Sequence, residues 1–149
     1  EASRSWPLPL SRMAKLKLKP VEKLVDPGVI GISSHVNPHR LCWSLNKTLE
    51  LELTRRSDVV NEEDGVKACY AAFEQVVEPD GFRWTLVNNH SGSGILVKQQ
   101  RQTDYFLLMD PELLEDNPDT LERVRSADFV LAAYPLVLEQ LRNGHLLLI

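Results

Sequence analysis

The sequence predicts an α+β fold, with an antiparallel meander of five or six strands covered by an N-terminal helix and a C-terminal helical region. Three observations lead there. Several short segments alternate apolar and polar residues with a period of two, and the turns between them are too short for parallel crossovers. Two other stretches take up helical spacing behind an Asn-Pro pair.

Taken in order, Lys15-Leu16-Lys17-Leu18-Lys19 alternates charged and apolar residues and reads as a short edge strand ended by Pro20. Asp26-Pro27-Gly28 marks a turn, and Val29-Ile30-Gly31-Ile32 is either a buried strand or the approach to a helix. Asn37 supplies a capping oxygen and Pro38 suits the first helical position, after which Leu41, Cys42, Leu45 and Leu49 form one apolar stripe. From Leu49 the run LELELT returns to a period of two, so a strand is expected there.

The polar stretch RRSDVVNEEDG is read as a loop. Beyond it, Ala68–Val76, Phe82–Asn88, Ile95–Gln99 and Asp104–Met109 are expected strands, with turn residues in Glu78-Pro79-Asp80-Gly81 and Asn89-His90-Ser91-Gly92-Ser93-Gly94. Asn117-Pro118 repeats the cap-then-proline signal and predicts a helix with Leu121, Val124 and Ala127 facing inward. Phe129–Tyr134 fits either a continued helix or a strand, and Pro135 interrupts both. Gly144 is expected to cap a short helix over Leu136–Arg142, leaving His145–Ile149 to dock on the core.

Composition narrows the function classes. The chain has 149 residues, 43% hydrophobic and 26% charged, which suits one globular domain. A formal net charge of −4 opposes a broad nucleic-acid-binding surface, because phosphate affinity comes mainly from Lys and Arg. No run of about 18 apolar residues is present to span a bilayer, so no membrane association is expected. Glu1–Arg12 lacks a basic start followed by an apolar stretch and does not read as a secretory signal. Met13-Ala14-Lys15 fits a natural start, which makes residues 1–12 an extension and assigns the fold to 13–149; a processed mature end is the alternative. Two cysteines in apolar surroundings, Cys42 and Cys69, suggest buried thiols rather than a disulfide framework, and with it a cytoplasmic location.

The candidate sites mostly have simpler structural readings. His35, His39 and Cys42 have zinc-like spacing, but the helix begins after His35 and no fourth ligand is evident, so no metal or cofactor is expected. A Cys42 nucleophile paired with His39 or His90 conflicts with its place on the apolar stripe. The glycines of His90–Gly94 offer amides to a phosphate but lack the Lys-Ser/Thr ending of a P-loop, and a hairpin turn explains them. Trp43 and Trp84 are expected to be core or core-edge anchors rather than nucleobase platforms. No catalytic residue is assigned.

Gly31-Ile32-Ser33-Ser34-His35 followed by Arg40-Leu41-Cys42-Trp43-Ser44-Leu45-Asn46 resembles the N-terminal signature of the bacterial IPExxxVDY family, found mainly in Bacteroidota. Val97–Met109, VKQQRQTDYFLLM, occupies the place of the motif that names the family, and the likeness runs from Lys15 through nearly the whole chain. Lys98 stands where the family has Pro, Gln99 where it has Glu and Thr103 where it has Val; Asp104-Tyr105 is kept. A function resting on the family's Glu therefore does not carry over. The resemblance implies a neighbourhood of ribonuclease III and fatty-acid synthesis genes, and through it acyl carrier protein as a partner.

Asp104-Tyr105 reads first as structural, the carboxylate accepting from a neighbouring turn and Tyr105 packing its ring and bonding through its hydroxyl. The functional expectation is a non-catalytic protein-interaction or adaptor module of the bacterial cytoplasm, with Lys98, Arg101, Asp104 and Tyr105 as its surface. Lys98 and Arg101 would engage an acidic partner. An RNA-associated accessory protein, using Lys15, Lys17 and Lys19, is the alternative, and an enzyme the third.

Overall fold

The computed structural model describes residues 27–77, 82–92 and 94–148. The expected strand Lys15–Lys19 and the turn Glu78–Gly81 lie outside these. Among the described residues the fold is α+β: a six-stranded, wholly antiparallel sheet with three helices.

Strand β1 (Gly28–Ser33) resolves the first ambiguity as a buried strand, because Val29, Ile30 and Ile32 bury on both faces between two neighbours. Gly31 sits where a Cβ would lie 2.6 Å from the Tyr134 ring, so the strand needs glycine there. Helix α1 (Pro38–Leu49) starts as predicted: the Asn37 side chain accepts from Arg40 N at 2.9 Å. Leu41, Cys42, Leu45 and Leu49 bury along one stripe.

The strand expected from Leu49 is not formed. Helix α1 continues to Leu49, and Glu50 closes it with φ 59. Leu51 and Leu53 do point inward, which accounts for the alternation, but Leu51 N bonds back to Asn46 O at the helix end and the Leu53 backbone bonds to a side chain. The Asn46 amide pairs with Leu53 N and O at 2.9 and 3.1 Å, and Gln75 Oε1 accepts from Glu52 N.

The polar stretch expected to be a loop is instead strand β2 (Thr54–Glu63), which turns through Asp64 (φ 52) and Gly65 (φ 78) into β3 (Val66–Val77). Two successive positive-φ residues make the mirror-image turn that suits a two-residue hairpin, and Asp-Gly is its strongest short-range signal. The strand is polar because it lies at the sheet edge, where Val59 is its buried residue. Strand β4 (Phe82–Asn88) follows as predicted.

Ile95–Gln99 does not join the sheet. Only the small hairpin β5 (His90–Ser91) and β6 (Gly94–Ile95) forms, followed by a 3-10 turn over Lys98–Gln100. Leu96 and Val97 are consecutive yet both pack into the core on one side of the sheet, whereas neighbours in a strand face opposite sides. Strand β7 (Tyr105–Met109) then pairs β4 with β1.

The cap-then-proline signal acts at Asp110-Pro111, where the Asp110 side chain accepts from Glu112 N and opens α2 (Pro111–Asp116). Asn117 ends that short helix, and α3 (Thr120–Ser126) begins beyond Pro118, with Val124 and Ala127 buried and Leu121 partly so. Strand β8 (Ala132–Leu136) contains Pro135 and occupies the other edge, giving the order β2-β3-β4-β7-β1-β8. The helix expected over Leu136–Arg142 is replaced by 3-10 turns at Leu138–Gln140 and Gly144–Leu148, the second opened by Gly144. Leu138 and Leu141 are three residues apart and both buried, matching the three-residue repeat of that tighter helix.

The sheet separates two cores. Helices α1 to α3 cover Ile30, Ile32, Phe73, Trp84, Leu86, Leu107 and Met109. Leu96, Val97 and the C-terminal 3-10 turns cover Val29, Tyr70, Val87, Phe106 and Leu108. Trp84 is fully buried as expected; Trp43 is 55% exposed and Cys69 is exposed, against expectation. Trp43 lies beside the stripe of α1 on its outer side, and Cys69 lies opposite Val60 near the hairpin tip, beyond the helical cover.

Candidate functional site

The four residues singled out from the sequence run along one loop into the first residue of β7, and Asn89 shapes that loop. Its side chain is fully buried at the end of β4. Oδ1 accepts from Val97 N at 2.7 Å, while Nδ2 donates to Gln100 O at 3.0 Å and Thr103 O at 2.8 Å. The backbone adds Asn89 N to Asp104 O and Leu96 N to Asn89 O. One amide thus satisfies the groups that a strand ladder would otherwise have paired.

The loop then sends its side chains in different directions. Asp104 Oδ2 accepts from Ser34 N at 2.8 Å, and Oδ1 lies 3.4 Å from His90 Nε2. Tyr105 Oη donates to Val36 O at 2.6 Å. Burial, reinforced by the neighbouring Asp104 charge, pushes the Tyr105 hydroxyl up to about 12, so it stays a proton donor. This pair therefore fixes the Ser34–Val36 entry to α1.

Thr103 places Oγ1 2.5 Å from Tyr134 Oη and 3.1 Å from Gln100 Oε1. Gln99 donates through Nε2 to Gln140 O at 2.8 Å and accepts through Oε1 from Arg142 N. An ionised carboxylate accepts only, so it has no donor for Gln140 O. Both side chains are thus used in hydrogen bonds of this fold.

Lys98 and Arg101 face elsewhere. Lys98 Nζ lies 3.1 Å from Glu63 Oε1, in a pair with 59% and 54% of the side chains exposed. With Arg101, they border an open groove of about 360 Å³ between the hairpin tip and the Gly94–Arg101 segment, with Val66, Ala68 and Ile95 as apolar lining. Tyr70 forms its floor, its hydroxyl raised above the usual value mainly by burial, with a Ser91 hydrogen bond opposing that. Across the Lys98–Glu63 bridge a wider, polar groove of about 750 Å³ runs along Gln99, Glu139, Gln140 and Arg142.

The structure therefore brings Lys98 and Arg101 together and separates them in role from Asp104 and Tyr105. Sequence reasoning missed Glu63, placed in a supposed loop, and read Asn89 only as a turn residue, not as the buried amide that holds the loop. His90–Gly94 forms the expected hairpin. Cys42 Sγ donates to Leu53 O at 3.6 Å, and burial pushes its thiol up to about 11, partly opposed by Asn46. His39 stands edge-on to Phe73 at 5.3 Å. Among the described residues no group of three or more His, Cys, Asp or Glu is placed to hold a metal ion. Nor is any helix of the described residues long and apolar enough to cross a membrane. Lys15, Lys17 and Lys19 lie outside the described residues.

Comparison of the chain with family models, curated proteins and solved structures found no match.

Proposed function

We propose that this chain is a non-catalytic protein-interaction module of the bacterial cytoplasm, a divergent relative of the IPExxxVDY proteins, which takes an acidic segment of its partner beside Lys98 and Arg101. The observation that carries this reading is the groove of about 360 Å³, which sets two exposed cations next to an apolar lining. The segment bearing them is clamped from beneath by Asn89, so little ordering entropy remains to be lost on binding. Exposed ion pairs contribute only about 0–1 kcal/mol, so a partner carboxylate can take over Lys98 from Glu63 at small cost. Acyl carrier protein, implied by the family resemblance, is a partner of this acidic kind.

The test is a cross-linked pull-down with wild type and with the Lys98→Glu/Arg101→Glu double variant. Both side chains are exposed, so the variant should keep the wild-type circular dichroism spectrum. The expected result is a partner recovered by wild type and lost by the variant. Identical recovery would overturn the reading, and salt-sensitive recovery of RNA instead of protein would favour the RNA-associated alternative.

A further inference from the structure

We infer that the outer side of α1, together with the Asp128–Leu131 segment, is a second protein-docking surface, suited to a partner segment that presents a carboxylate beside an apolar side chain. This surface lies on the helical side of the sheet, whereas the groove at Lys98 and Arg101 lies on the other. Two docking faces are what an adaptor requires.

The surface is built from aromatic rings and cations. Trp43 is 55% exposed, with Lys47 Nζ 4.4 Å from its ring centroid. Arg40 Cζ stands 5.0 Å from the centroid of Phe129, and Leu131 beyond it is 63% exposed. The segment is tied to the helix by Ser44 Oγ donating to Asp128 O at 2.7 Å and by Lys47 with Asp128 Oδ2 at 3.3 Å.

Phe129 has φ 75, a left-handed conformation that a bulky residue adopts only under local strain. Its ring is thereby held beneath Arg40 on the outer side of the fold. Trp and Arg are over-represented among residues that dominate binding energy at protein interfaces, and these are already ordered by ring contacts.

Charge complementarity sets the partner's chemistry. Helix α1 carries His39, Arg40 and Lys47 and no carboxylate, on a chain whose formal net charge is −4. Asp128 neutralises Lys47, which leaves Arg40 for a carboxylate while Trp43 and Leu131 offer apolar area. A nucleic acid fits less well, because base stacking needs open ring faces and both rings carry a cation over one face.

The experiment is a peptide-display selection against the wild-type chain, followed by affinity measurement of the enriched peptides. The expected peptides pair Glu or Asp with a large apolar residue. Their binding should fall at least tenfold in Trp43→Ala and in Arg40→Glu, and stay unchanged in Lys98→Glu/Arg101→Glu. That last arm separates this surface from the groove, so failure of one reading leaves the other standing. Both single variants alter side chains on the outer side of α1, and matched thermal unfolding checks that they fold. Absence of enrichment, peptides without acidic bias, or binding indifferent to Trp43 would overturn the inference. So would a labelled single-stranded RNA whose salt-dependent binding is lost in Trp43→Ala.

Discussion

On one face of the sheet, helices press Leu41, Leu45, Leu113 and Val124 against Trp84, Leu86 and Leu107. On the other, Leu96, Val97, Leu138 and Leu147 reach the sheet from segments with almost no regular structure. The first cover is held by apolar burial along periodic stripes. The second depends on a few polar staples: Asn89 for the Leu96–Thr103 loop and Gln99 for the Gln140–Arg142 segment. Burial is forgiving of small shifts in geometry, whereas a buried amide must find all its partners at once.

Breaking this contrast starts with Trp84→Ala on the helical face. Trp84 is fully buried, and removing so large a side chain is expected to destabilise the fold by about 3–5 kcal/mol, measured by urea unfolding. Asn89→Ala attacks the other cover without changing the apolar core. It strands Val97 N and the Thr103 carbonyl, while Gln100 O keeps its bond from Thr103 N, for an expected loss of about 2–3 kcal/mol. Native-state hydrogen exchange should show the difference. Protection should drop first in residues 95–103 of Asn89→Ala and across the whole sheet in Trp84→Ala. A uniform drop in both would mean that the two covers unfold as one unit.

The smallest effects concern the titratable groups of the helical face. Cys42 has its thiol raised from 9.0 to about 11 and Tyr105 its hydroxyl from 10.0 to about 12. Each group holds its proton longer in the folded chain than in the unfolded one. Their stabilising contribution is therefore complete below about pH 9 and declines as pH rises, first from 9.0 to about 11 and then to about 12. Cys42→Ser should flatten the first part of that decline. Thiol titration in native buffer should count Cys69 alone, and in denaturant both cysteines.

The same contrast explains what the sequence disclosed. Helix α1 was legible in full at its start, because cap, proline and stripe all agree from Asn37 to Leu49. Strand β4 matched to the residue, and β7 to within one. Strand β2 was not recognised, because an edge strand with one buried residue has too little alternation to stand out, although Asp64-Gly65 was available as a hairpin signal. The Leu96–Thr103 loop was illegible for a different reason: its shape is set by contacts from Asn89, seven residues and more away along the chain. In the candidate site, Lys98 and Arg101 were identified as neighbours, but their acidic counterpart Glu63 comes from that unrecognised strand. The exposure of Trp43 was missed because its neighbours on both sides of the stripe are core residues.

The two outer strands bear on how the molecule behaves when crowded with its own copies. Along β2 the register slips between Arg56 and Val59, and charged side chains crowd the strand. On β8 the device differs: Arg125 Nε donates to Ala133 O at 2.9 Å, and Pro135, two residues on and facing the same way, has no N–H to offer. A foreign strand arriving at either border finds its hydrogen-bond partners displaced, occupied or missing. Among the described residues the sheet thus ends at two blocked borders, which oppose strand-by-strand growth into fibres even though FVLAAYPLVL, at 129–138, carries no charge of its own.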